Sequence, residues 1–198
     1  MLMYNYLNMR EPKILRKTLF GNPILREKAR ELTPEEILSS DIQEFIVDLK
    51  YTVDKKKFGV GIAAPQVGKS IALAMLAIKP TPNRPNRQEF NSVIINPKVI
   101  KGIGEKALMW EGCISFASGT DNVPFAQTER WPSVEVEYLD ERAVSHREVL
   151  AGFLAHVFQH ETDHLNGTLF VDRVVDSSTF MLATEYRKRI LPTLPPEE

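Results

Sequence analysis

The sequence is poor in cysteine, in net charge and in long apolar runs. It has one cysteine, Cys113, among 198 residues. A lone thiol has no intrachain partner. That excludes a disulfide framework and leaves the sulfur free to bind metal or to react. A free thiol suits a reducing compartment, so a cytoplasmic location is expected. The formal net charge is −1, so no whole-molecule field draws the chain to DNA or to an anionic membrane. No apolar run approaches the roughly 18 residues of a membrane span. The opening stretch MLMYNYLNMREPKILRKTLF has no apolar core of signal-peptide length before Arg10 and Glu11. Phosphate-binding glycine loops are missing as well: there is no GxGxxG, and no Lys-Ser/Thr follows a GxxxxG.

What is present is an ordinary globular composition, 43% hydrophobic and 26% charged. It is expected to form one domain over 1–198, with a short C-terminal helix and tail at about 179–198: the helix runs from Thr179 to Ile190, before Pro192, Pro195 and Pro196 end regular structure. Thr33, Pro34 and Glu36 read as the capped start of a helix over Leu32–Lys50, or of two helices broken near Ser40. Strand patterns fall at Val60–Ala63, Ile71–Ile78, Ser92–Ile100, Glu105–Met109 and Val134–Tyr138. Pro80–Gln88 reads as an exposed loop, and Ala117–Pro132, which has no clear period, as a long surface loop. A second helix is expected at about Leu150–Asn166, stopped by Gly167. The expected fold class is α+β: mostly antiparallel strands packed around one long central metal-binding helix.

That helix carries His160-Glu161-Thr162-Asp163-His164, which includes two of the four histidines. Imidazoles four residues apart on a helix share a face and can grip one ion, with Glu161 close enough to act on a water beside it. The blander alternative is an amphipathic helix that happens to carry these residues. His156 is a poor third ligand: it lies two turns from His164, about 11 Å of rise, so it borders the site or faces solvent. His146 sits on an expected strand and reads as a surface residue. Cys113, after a strand and beside Gly112, is the better third ligand, although a lone cysteine is more often a small buried hydrophobe. Gly59-Val60-Gly61-Ile62-Ala63-Ala64-Pro65-Gln66 suits a strand that another backbone approaches closely, or simply a tight turn into a core strand.

GVGIAAPQ at 59–66, EGCIS at 111–115 and QHETDH at 159–164, in that order, resemble the three signature motifs of peptide deformylases: GxGxAAxQ, EGCxS and QHExDH. The segments Gly21–Arg26 and His164–Phe170 resemble the family too, and the likeness covers about 20–175. One departure lies between 116 and 130, where Arg130 comes later than in the family pattern and an inserted loop beside the site is implied. Another is His156, where many members have a different residue lining the substrate side.

The resemblance implies metal-dependent removal of the N-formyl group from formylmethionyl nascent peptides. It implies Cys113, His160 and His164 as metal ligands and Glu161 as acid and base. Gln66 and the backbone N–H of Ile114 would be donors to the oxyanion. The substrate would lie against Gly59, Val60 and Gly61, and contact Glu111, with Phe153 and Val157 walling the methionine pocket. One divalent ion is implied, Fe²⁺ in the cell, with Zn²⁺, Ni²⁺ or Co²⁺ accepted by the same donors. Two rivals stand beside this reading. One is a zinc endopeptidase built on the same helix motif. The other is a deformylase-like binding module that the 116–130 insertion has blocked. The basic run Tyr186-Arg187-Lys188-Arg189 offers a weak ribosome contact, or is a solvated helix face.

Overall fold

A computed structural model describes residues 10–56, 59–80, 89–119 and 121–194. The expected loop at 80–88 lies almost wholly outside the described residues, as do Pro195 and Pro196. Two helices open the fold, α1 (Pro34–Ile37) and α2 (Ser40–Lys56). Thr33 and Glu36 form the reciprocal capping box, and the chain takes the broken version of the expected helix: Ser39 Oγ bonds back to the Glu36 carbonyl, ending one helix before the next begins.

Strands β1 (Gly61–Ala63), β2 (Leu73–Ile78), β3 (Phe90–Ile103), β6 (Ser133–Leu139) and β7 (Ser145–Ala151) form an antiparallel sheet in the order β1-β2-β3-β6-β7. A second sheet, β4-β5-β8, joins β4 (Ala107–Gly112), β5 (Pro124–Arg130) and β8 (Met181–Leu182). The remaining helices are α3 (Gly152–Leu165) and α4 (Ala183–Arg189).

Both faces of the five-stranded sheet are covered, because successive residues of a strand point to opposite sides. Ala74, Leu76 and Ile94 pack with Leu154, Val157 and Phe158 of α3. Leu73, Met75, Val93 and Ile95 pack with Phe45, Ile46 and Leu49 of α2. Phe158 is fully buried, which stabilises the fold by about 1.5–3 kcal/mol relative to exposure. The C-terminal end of α3 is fixed by Gly167 at φ +71, where a Cβ would stand 2.5 Å from the Arg26 carbonyl oxygen. Only glycine combines that conformation with that approach.

The extended segment before α1 ties the frame to the site. Arg10 pairs with Asp48 at 2.6 Å, Leu15 N–H donates to Thr52 Oγ1, Thr18 N–H to the Gln66 carbonyl and Phe20 N–H to the Ser115 carbonyl, each of the last two at 2.7 Å.

One expectation is overturned. Ala117–Pro132 is not a surface loop: its second half is strand β5, paired with β4 from Gly112↔Phe125 to Ala107↔Arg130. Its inward residues are Ala126, Thr128 and Arg130, all buried. Two of the three are polar, so the hydrophobic alternation that marks a strand is hidden.

Candidate functional site

Three chain segments meet on one side of α3. After β1, residues Ala64–Val67 form a 3₁₀ turn. Within it Gln66 Oε1 accepts from the Ala63 N–H at 2.8 Å, which turns the amide NH₂ toward Ser115 Oγ at 3.2 Å and Cys113 Sγ at 3.4 Å. Cys113 follows β4 directly, and Ile114 opens the next short turn. From α3 come His160 and His164, about one helical turn apart as their spacing dictates, and Glu161 next to His160.

The three expected ligand atoms converge. Cys113 Sγ is 3.3 Å from His164 Nε2, and His164 Nε2 is 3.2 Å from His160 Nε2. One atom from each residue lies within 4.8 Å of the others. Around a tetrahedral ion with bonds of about 2.0–2.3 Å, such atoms stand roughly 3.3–3.6 Å apart, so the donor set fits a divalent cation. The sequence brought Cys113 in on its place after a strand beside Gly112 and on the EGCIS motif; the geometry places its sulfur beside both rings.

Beneath the ligands lies Glu111, 3% exposed. Its carboxylate accepts from Arg130 Nε and Nη2 at 2.9 and 2.8 Å, Thr128 Oγ1 at 2.9 Å, His156 Nε2 at 2.9 Å and His160 Nδ1 at 2.6 Å. Burial alone would raise its pKa. The positive charge of His160 and the bonds from His156, His160 and Arg130 outweigh burial and hold it well below the usual carboxylate range. Glu111 borders the cleft, but a carboxylate with five donors is built to orient its neighbours.

Arg130 reaches past it to Asp163 at 2.5 Å, and Arg173 binds the same aspartate at 2.8 Å. This network of Thr128, Arg130, His156 and Asp163 was not assigned from sequence. Its available signal was Asp163 standing three residues from His160, with Arg130 at the end of a strand nobody would read as apolar.

Glu161 is fully enclosed and its Oε2 has no hydrogen-bond partner among the described residues. Burial pushes its carboxyl up to about 7, with Glu111 adding to the rise and His160 opposing it. His164 is held well below its usual value by burial and by the charge of His160, which keeps it in the neutral, ligating form. His160 is driven well above its own despite burial, by Glu111 and Cys113.

The cleft over these groups has a volume of about 310 Å³ and is lined by Gly59, Val60, Gly61, Ile114, Phe153 and Val157 among others. Thus the motif residues and the two expected pocket walls share one cavity. A larger, polar cavity of about 410 Å³ opens on the other side of α3, against Asn96, Asp163 and Arg173. It contains none of the ligands, and the chemistry belongs to the smaller cleft.

Residues 15–180 match the family model described as polypeptide deformylase. The chain belongs to the peptide deformylase family. It is 39% identical over 180 residues to peptide deformylase 2 of Nostoc sp., covering 90% of this chain and 96% of that one. It resembles the Met-Ala-Ser-bound crystal structure of a class I type b peptide deformylase from Acinetobacter baumannii with a TM-score of 0.74 and 33% identity, over 83% of this chain and 100% of that one. It also resembles a peptide deformylase from Thermotoga maritima, with a TM-score of 0.68 and 32% identity, over 82% and 99% of the two chains. Within this family the chain is a metal-dependent hydrolase, its metal site is Cys113, His160 and His164, and the substrates implied are formylated nascent peptides.

Proposed function

We propose that this cleft hydrolyses the formamide at the start of formylmethionyl peptides, with each side chain in a stated role. Cys113, His160 and His164 would hold a divalent ion, which would supply acidity to water and polarisation to a carbonyl oxygen. Glu161 takes the proton from the attacking water and passes it to the leaving amine. A carboxyl near pH 7 with a bare oxygen beside the ligand atoms suits that exchange. Gln66 Nε2 and the backbone N–H of Ile114 donate to the oxygen that becomes negative in the tetrahedral intermediate. The products are formate and a free amino terminus.

Strand β1 stands at the end of its sheet, hydrogen-bonded to β2 alone among the named strands. Its other edge, along Gly59, Val60 and Gly61, takes the substrate backbone as an added strand. Phe153 and Val157 then wall the methionine side chain, and Glu111 acts through His160 rather than on the substrate. One observation carries this reading: a sulfur and two imidazole nitrogens converge beside the buried Glu161 carboxyl, whose Oε2 has no hydrogen-bond partner among the described residues. Formate release from formyl-Met-Ala-Ser, without cleavage of blocked internal peptides, is the expected result. Cleavage of the internal peptides would favour the endopeptidase, which needs no cysteine ligand, and no turnover of either would favour the binding module.

Finer parts of the proposal concern the cell. Fe²⁺ is the ion in use, as the family resemblance implies, and an oxidisable Fe²⁺–thiolate site fits a reducing compartment; Zn²⁺, Ni²⁺ or Co²⁺ replaces it in purified protein. The location is cytoplasmic, and among the described residues no helix is long and apolar enough to cross a membrane. A weak ribosome contact is assigned to α4. Lys188 is its main donor of charge, since Arg187 pairs with Asp121 and Arg189 with Glu185.

A further inference from the structure

The 116–130 segment and α4 together build one wall of the cleft: Val123 and Phe125 line it from the first, Arg187 from the second. The two parts are tied. Strand β8 pairs Met181 with Phe125 and Leu182 with Pro124, and the Ala183 N–H donates to the Val123 carbonyl at 2.8 Å. The Phe125 ring lies against Gly112, where a Cβ would stand 2.8 Å from it. Tyr186 stacks on Phe125 with centroids 4.3 Å apart, and its ring lies 5.8 Å from that of Trp110. The next residue, Arg187, is thereby held at the cleft. Among the described residues that line the cleft, it alone is a lysine or arginine. Arg187 Nη1 donates to Asp121 Oδ1 at 2.9 Å. The side chains of this pair are 49% and 72% exposed, and so open a pair is weak. A substrate carboxylate can take the place of Asp121.

We propose that Arg187 is a specificity-determining residue of this cleft, favouring formylated peptides whose third residue carries a carboxylate side chain. This rests on the reaction proposed above. Trp110 precedes Cys113 by three residues of extended backbone, about 10 Å at roughly 3.3 Å per residue. A peptide bound as a strand, with its formyl group at the metal ligands and its chain running toward Trp110, brings its third residue beside Arg187. A guanidinium presents paired N–H donors in the plane that a carboxylate matches. The apolar neighbours Trp110 and Phe125 displace water there and strengthen the attraction.

The test measures kcat/KM on metal-loaded protein for formyl-Met-Ala-Glu and formyl-Met-Ala-Gln, both as C-terminal amides, so that the side chain is the only carboxylate. The expected preference for the glutamate peptide is roughly two- to fivefold, carried by KM and diminished by added salt. Arg187→Gln should remove it, and Arg187→Lys should keep part of it. Asp121→Asn, which takes away the competing carboxylate at an exposed position, should enlarge it. Equal wild-type values for the two peptides overturn the inference, and so does a preference that survives Arg187→Gln. If Arg187→Gln does not fold, an unchanged ratio in Asp121→Asn overturns it instead. Turnover of the glutamine peptide leaves the parent reading standing in each of these cases. No formate from either peptide overturns both.

Discussion

Glu111 Oε1 lies 2.6 Å from His160 Nδ1, inside the protein and beneath the metal ligands. That bond fixes which nitrogen of His160 carries a proton, and it turns Nε2 toward His164 and Cys113. Glu111→Ala should therefore weaken metal binding by about 10–100-fold. It also leaves the Arg130 guanidinium buried without its main partner, at a cost of about 3–5 kcal/mol. Chelator competition reads the first effect and urea unfolding the second. A variant with unchanged affinity would show that Glu111 does not orient His160.

Glu161→Gln should retain metal and lose nearly all turnover. It also has a pH signature. The folded carboxyl titrates at about 7, above the ordinary value near 4.3. The folded state therefore holds the proton more tightly than the unfolded one. Wild-type stability should fall as pH rises from about 4.5 to 7, by on the order of 2–3 kcal/mol. Glutamine does not ionise, so the melting temperature of metal-free Glu161→Gln should gain on wild type between pH 5 and pH 8. A constant difference across that range would refute the raised pKa.

Gly61 sits against the same carboxyl: a Cβ there would stand 2.4 Å from Glu161 Oε1. Gly61→Ala should displace Glu161 and lower kcat more than tenfold, with far-ultraviolet circular dichroism unchanged. Wild-type kcat in this variant would mean that the strand or the carboxyl yields without consequence.

Gln66→Ala should lower kcat by roughly a hundredfold or more if its amide donates to the developing oxyanion. The Ala63 N–H would lose its acceptor, so stability should be followed by urea titration to separate the two effects. A folded variant with undiminished kcat would remove Gln66 from the proposed role.

The metal ligands were legible because their signal is local and chemical. His160 and His164 share a helix face by periodicity, and Cys113 is the only thiol. Strand β2 and helix α3 were legible too: LAMLAI at 73–78 is an unbroken apolar run, and Phe153, Val157, His160 and His164 recur at helical spacing. Strand β5 was not, because Thr128 and Arg130 point inward to serve Glu111 instead of packing a core. His146 was expected on a strand and lies in the exposed edge strand β7, Ser145–Ala151, but the bounds of that strand carried no signal because only Leu150 within it is buried. The hydrogen bonds of the Glu111 network join residues 17 to 49 positions apart, and no periodicity encodes such partners. In physical terms, sequence pattern reports which face is apolar, whereas a buried polar network is specified by three-dimensional satisfaction of donors and acceptors.

The most direct measurement is an anaerobic titration of Fe²⁺ into chelator-stripped protein, read as formate released from formyl-Met-Ala-Ser. The account predicts no turnover at the start, a linear rise, and a break at about one ion per chain, with the Cys113→Ser protein giving a much shallower rise. Turnover by the stripped protein, or a Cys113→Ser titration indistinguishable from wild type, would contradict it.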